Sequence, residues 1–232
     1  PELVVNIAAL IRGNDGLAFG NVIGSNISNT GLILGLPALV SPLRVTGMVI
    51  VREIPMMILV ALVAVITGID GVFTAAADSF SRPAGLILLL LLVVFIFYNV
   101  KDALRRRSEE EYLVQVEEHI PSRPKESMSI GGIMVLAGLG LLAAGGKLAV
   151  TGAVGLASAL GVSDALIGLT VIAVGTSLPE LATSMIAALK NEPELAVGNV
   201  VGSNIINLSL ILGLVCTVSP VDVPAGGRLD LV

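Results

Sequence analysis

Long stretches without a charged side chain alternate with short polar breaks along the chain. No Asp, Glu, Lys or Arg occurs from Gly16 to Leu43, Pro83 to Val100, Ser127 to Gly146 or Leu195 to Val221, and about 20 apolar residues suffice to cross a bilayer as a helix. The pattern predicts a half-span over 1–11 and fuller spans over 17–41, 46–68, 84–100, 128–158, 164–189 and 194–219. Between them SPLRVTG, TGIDGVFTAAADSFSRP and GVSD read as turns, because Gly, Pro, Ser and Asp punctuate the apolar runs. A transmembrane β-barrel would show segments of about 10 residues with alternating polarity. These runs are continuous, so the expected fold is all-α: a polytopic transmembrane helical bundle.

Composition agrees: 55% of residues are hydrophobic and 13% charged, against about 25% charged in a soluble domain. A net charge of −5 offers no basic surface for nucleic acid. Cys216 is the single cysteine, which excludes a disulfide framework within the chain and a cysteine metal site. The strongly polar connection, 101–125, reads as a solvated linker or short amphipathic helix, too short to hide a sandwich domain of about 100 residues. His119 within it has no His or Cys partner for a metal. The division expected is 1–100, a linker over 101–127, and 128–232.

Alternating the spans puts Arg44, Arg52, Lys101, Arg105, Arg106, Arg107, Arg123, Lys125 and Lys190 on one side, with Arg12, Arg82 and Arg228 on the other. The first side, which carries the linker, is cytoplasmic by the positive-inside rule. Lys147 falls within a span, where it snorkels or pairs.

Setting residue n beside residue n + 178 aligns PELVVNIAALIRGNDGLAFGNVIGSNISNTGLILGL with PELATSMIAALKNEPELAVGNVVGSNIINLSLILGL without a gap, and roughly half the positions are identical. An odd number of spans precedes the second copy, so the copies lie upside down relative to each other. Inverted repeats of this kind mark secondary transporters, whose substrate site lies near the midplane where broken helices meet. The same offset predicts residues like Gly175 to Leu178 ahead of Pro1 and two further spans after Val232, so the chain is expected to be a fragment truncated at both ends.

Polar residues cluster in the two copies. Asn21, Ser25 and Asn29 recur every four positions, as do Asn199, Ser203 and Asn207, so each set forms a stripe on one helix face. Beside the second stripe Pro179 interrupts a helix and releases carbonyl oxygens about one turn back, around Ala173 and Thr176. Thr176, Ser177 and Glu180 then share a face. Carboxylate, hydroxyl, amide and carbonyl oxygens without nitrogen or sulfur donors suit a hard cation, and flexible coordination by 6 to 8 oxygens suits Ca2+ better than Mg2+. An ionised group at midplane costs at least about 2.5 to 3.5 kcal/mol. Glu2 and Glu180 incur that cost at matching positions, and together they would neutralise one Ca2+. Gly20 with Gly24, and Gly198 with Gly202, read as small-xxx-small packing motifs. The acceptor pattern for glycosylation at Asn26-Ile-Ser28 falls inside a span and reads as accidental.

GTSLPE followed by GNVVGSN, paired with PE followed by GNVIGSN, resembles the two α-repeats of the sodium/calcium exchanger family within the calcium/cation antiporter superfamily. The resemblance implies a ten-helix fold of two inverted five-helix halves, with ions held between the second, third, seventh and eighth helices. It places ligands on Glu2, Ser25 and Asn29 in the first repeat. In the second they fall on Ala173 and Thr176, through their carbonyls, and on Ser177, Glu180, Ser203 and Asn207. Many prokaryotic relatives carry Asp where this chain has Asn207. The implied activity is exchange of Ca2+ for Na+ by alternating access, with no enzymatic chemistry, no cofactor and no protein partner, in the plasma membrane. The alternative within the class is H+/Ca2+ antiport, whose proteins usually carry a Gly-Asn-x-x-Glu type motif in place of GTSLPE. From other classes, an ion channel or a non-transporting membrane subunit fits inverted repeats less well.

Overall fold

The computed structural model describes residues 2–13, 15–43, 45, 47, 49–69, 71, 77–116, 128–161, 175, 177–224 and 227–231. Helix α1, Glu2–Ile11, turns back into α2, Asp15–Ser28, which widens into a π-helical segment, π1, Asn29–Ile33, and continues as α3, Gly35–Val40. A second π-helical segment, π2, Val49–Glu53, leads into α4, Ile54–Gly68. Strand β1, Ser79–Phe80, precedes α5, Arg82–Val116, and then comes α6, Met128–Ala159. The second copy gives α7, Leu178–Leu189, then α8, Pro193–Ile206, a third π-helical segment, π3, Asn207–Leu212, and α9, Gly213–Val218. Strand β2, Val221–Asp222, and α10, Gly227–Leu231, close the described chain. Among the described residues, four helical stretches are long and apolar enough to cross a membrane: Gly16–Val40, Val49–Gly68, Arg82–Arg105 and Pro193–Val218.

The repeat is visible in the backbone. π1 and π3 begin at Asn29 and Asn207, the same position in both copies. The α1–α2 turn uses Gly13 at φ +63°, and its counterpart between α7 and α8 uses Asn191 at φ +58°, glycine and asparagine being the residues that tolerate the left-handed region best. Apolar side chains from both copies share one core: Phe19, Val22 and Ile23 from the first, Val201, Ile205, Leu212 and Val215 from the second.

Four features depart from the expected pattern. Helix α5 runs unbroken past 100 to Val116, because KDALRRRSEEEYLVQV contains neither Gly nor Pro and is rich in strong helix formers. At 1.5 Å per residue its 35 residues reach about 52 Å, well beyond a hydrocarbon core of about 30 Å. The polar turns also contain a ladder: β1 pairs antiparallel with β2, Ser79 opposite Asp222 and Phe80 opposite Val221. This joins the connection after α4 to the connection after α9, two turns that alternating spans place on the same side. Third, the π-helical segments carry no sequence signal of their own.

The fourth is a close helix approach at a glycine outside the expected pairs. A Cβ added at Gly20, Gly24 or Gly202 meets nothing within 4 Å among the described residues, and at Gly198 it meets only the Glu53 carboxylate at 3.5 Å. Among the described residues these glycines meet no second helix in a small-xxx-small contact. Close backbone approach occurs instead between α5 and α9, where a Cβ on Gly85 would lie 2.7 Å from the Gly213 carbonyl oxygen and from the Thr217 nitrogen and hydroxyl. The spacing of a motif permits packing, but the way the helices cross decides which glycines meet a neighbour.

Candidate functional site

Each glutamate stands in the first turn of a short helix. Pro179 occupies the start of α7, where its missing N–H leaves no helical bond unmade, and Ser177 sits just before it, buried in a turn. The break therefore lies immediately ahead of the proline rather than after it. The stripe asparagines tie these turns down in the same way in both copies. Asn21 Nδ2 donates to the Glu2 carbonyl at 3.4 Å, and Asn199 Nδ2 to the Glu180 carbonyl at 3.2 Å. One turn further, Asn6 Nδ2 donates to the Glu2 carbonyl at 2.8 Å, while its counterpart Ser184 accepts from Asn199 Nδ2 at 3.0 Å.

The halves then interlock. α1 packs against π3 and α9, and α7 packs against π1 and α3, so each glutamate helix meets the other copy's stripe. Glu2 and Glu180 are near enough for their charges to act on each other. Asn29 Nδ2 donates to Asn204 Oδ1 at 2.9 Å, and Asn207 Nδ2 donates to Asn26 Oδ1 at 3.0 Å. These two bonds exchange under the repeat offset, which turns residues 26 and 29 into 204 and 207. Both start at the first residue of a π-helical segment, a geometry that recurs at functional sites.

Buried oxygens without a hydrogen-bond partner mark the chemistry. Glu180 Oε2, Ser25 Oγ and Asn29 Oδ1, all on residues expected as ligands, are buried and unpartnered, as are Asn6 Oδ1 and Ser28 Oγ nearby in sequence. Leaving one such atom unsatisfied costs about 1 to 3 kcal/mol, and several together are what a hard cation would relieve. Glu2, Ser25, Asn29, Ser177 and Asn207 are buried, while Glu180 and Ser203 are half-buried. Ala173 and Thr176 lie outside the described residues. No three His, Cys, Asp or Glu side chains converge among the described residues, so any ion bound here takes most of its ligands from amides, hydroxyls and carbonyls.

Three participants went unread in the sequence. Asn26 and Asn204, identical in both copies, hold Asn207 and Asn29. Asn6 follows Glu2 at four residues and is fully buried. The signal for the pair was in the GSN triplet of each copy, whose asparagine lies beside the stripe rather than on it.

Comparison with known proteins accords with this geometry. A family model described as "Sodium/calcium exchanger protein" matches residues 1–101 and 130–230. The CaxA protein of Alkalimonas amylolytica is 40% identical over 231 residues, covering 98% of this chain and 69% of the relative. Inner membrane protein YrbG of Escherichia coli (strain K12) is 36% identical, covering 96% of this chain and 66% of its own length. The solved structure of the sodium-calcium exchanger NCX_Mj soaked with 10 mM Na+ and zero Ca2+ superposes with a TM-score of 0.75 at 30% identity, over 100% of this chain and 71% of that one.

Proposed function

We propose, from the premise that this chain belongs to the sodium/calcium exchanger family, that it forms the ion-binding centre of an integral membrane antiporter exchanging Ca2+ for Na+ by alternating access. The observation that carries the reading is that the Glu180 helix packs against the segment that begins at Asn29 in the inverted copy, and that Glu180 Oε2, Ser25 Oγ and Asn29 Oδ1 are all buried without a hydrogen-bond partner. Two carboxylates match the charge of one Ca2+. Na+ and Ca2+, both hard cations, would compete for the same oxygens. The ligand set is Glu2, Ser25, Asn29, Ser177, Glu180, Ser203 and Asn207, with the carbonyls of Ala173 and Thr176. The membrane is the plasma membrane, with 101–127 on the cytoplasmic side, as the excess of Lys and Arg on that side supports.

Reconstitution in proteoliposomes tests this. Ca2+ uptake should follow an outward Na+ gradient at equal pH on both sides and should not follow a pH gradient imposed without Na+. Uptake driven by the pH gradient alone would assign the exchange to protons.

A further inference from the structure

Two hydrogen-bond chains fix which way the central asparagines point. Thr30 Oγ1 donates to the Asn26 carbonyl at 3.0 Å. A carbonyl can only accept, so the hydroxyl proton is committed there and its lone pairs face Asn204. Asn204 must then present its amide nitrogen, and Nδ2 lies 3.1 Å from Thr30 Oγ1. This leaves Oδ1 of Asn204 for Asn29, whose Nδ2 donates to it at 2.9 Å. The oxygen of Asn29 is thereby turned away, buried and unpartnered. The second chain is also anchored on a main-chain acceptor: Asn26 Nδ2 donates to the Asn204 carbonyl at 3.4 Å, and Asn26 Oδ1 accepts from Asn207 Nδ2 at 3.0 Å.

We propose that Thr30, Asn26 and Asn204 are positioning residues that set the amide polarity of Asn29 and Asn207, so that Asn29 Oδ1 faces the bound cation. An amide rotated by half a turn would offer N–H to the ion, which repels it. The relay is needed because Asn26, Thr30 and Asn204 border a cavity of ≈ 390 Å³ between α2, α4, α8 and α10. Burial alone would not hold an amide facing that space. The inference rests on the reading of Asn29 as a cation ligand.

The test is equilibrium binding of radioactive Ca2+ to the purified protein in detergent, with Glu180→Gln as the control for the site itself. Thr30→Val replaces an exposed residue by one of the same shape. It should weaken Ca2+ binding about tenfold, equivalent to ~1.4 kcal/mol, without lowering the melting temperature of the ion-free protein. Thr30→Ser should restore binding. In an Asn204→Asp background the carboxylate only accepts, so Asn29 keeps its polarity without Thr30, and Thr30→Val should then have no effect. Loss of binding in Glu180→Gln together with unchanged binding in Thr30→Val would overturn the relay and leave the site standing. Persistence of the tenfold loss in the Asn204→Asp background, or failure of Ser to restore, would also overturn the relay. Unchanged binding in Glu180→Gln would overturn the site and the relay with it.

Discussion

Glu180→Gln separates a charge built for a cation from a charge tolerated by the fold. The substitution keeps the shape and one ligating oxygen but removes one of two carboxylates. With Ca–O distances of about 2.4 Å the charges lie about 3 Å apart, and at an effective dielectric constant of about 20 the gross attraction is ~11 kcal/mol. Most of that is offset by the water both ions lose. A net ~3 kcal/mol would still weaken binding more than about 100-fold. In the ion-free protein the sign reverses. Glu180 is half-buried, its Oε2 has no partner, and Glu2 repels it, so the neutral amide should leave the melting temperature unchanged or raise it. Binding of radioactive Ca2+, Na+-driven uptake into proteoliposomes and thermal denaturation without Ca2+ read the three quantities on one preparation. Binding within about tenfold of the parent, or an ion-free protein that melts markedly earlier, would show that Glu180 serves the fold instead of the ion.

Three further outcomes follow from particular contacts. Asn207, Ser203 and Asn199 are neutral, so a K+ held beside Ca2+ would leave three positive charges against two carboxylates in a low-dielectric interior; Na+-driven Ca2+ flux should be equal in K+ and in an inert organic cation at clamped potential, and a strict K+ requirement would refute the charge count. Gly85→Ala should cost about 1 to 3 kcal/mol through overpacking, since the new Cβ falls 2.7 Å from the Gly213 carbonyl, whereas Gly20→Ala, with nothing within 4 Å, should be neutral or stabilise by up to ~1 kcal/mol; equal melting temperatures for the two variants would contradict the packing described. Ser79→Cys with Asp222→Cys should form a disulfide on oxidation, because the residues face each other next to the bond from the Val223 N–H to the Asp78 carbonyl, in the closer, non-hydrogen-bonded kind of pair; after proteolysis within 117–127 the two fragments should stay joined until reduced, and their separation before reduction would disprove the ladder.

What the sequence disclosed and what it concealed divide along physical lines. Apolar run length and the 178-residue repeat report on the solvent around each helix and on symmetry, and both carry through to the backbone: described spans stand where the runs are, and Glu2 and Glu180 take equivalent places. Side-chain partnership across helices is a different matter. The i, i+4 stripe points to Asn29 and Asn207 as inward-facing residues, and both do bond to the opposite copy. Yet the stripe assumes uniform helix, and each segment from those residues onward is π-helical. Asn26 and Asn204 lie just before these segments, about 100° round the helix from the stripe, and they reach the opposite copy by meeting the residues at which the segments begin. Periodicity counts within one element and has no view of a bond between residues 175 apart in sequence. A small-xxx-small spacing likewise says that a helix face is smooth but not which helix lies against it.

The departures from exact repetition carry as much information as the repetition. Position 30 is threonine in the first copy, and its counterpart, position 208, is leucine. Asn204 is therefore held by a side-chain hydroxyl, while Asn26, its symmetry mate, leans on the main-chain carbonyl of Asn204. At 3.4 Å that second anchor is longer than the 3.1 Å bond to Thr30, and hydrogen bonds weaken as they lengthen past about 3.2 Å. The amide of Asn29 is accordingly fixed more firmly than that of Asn207.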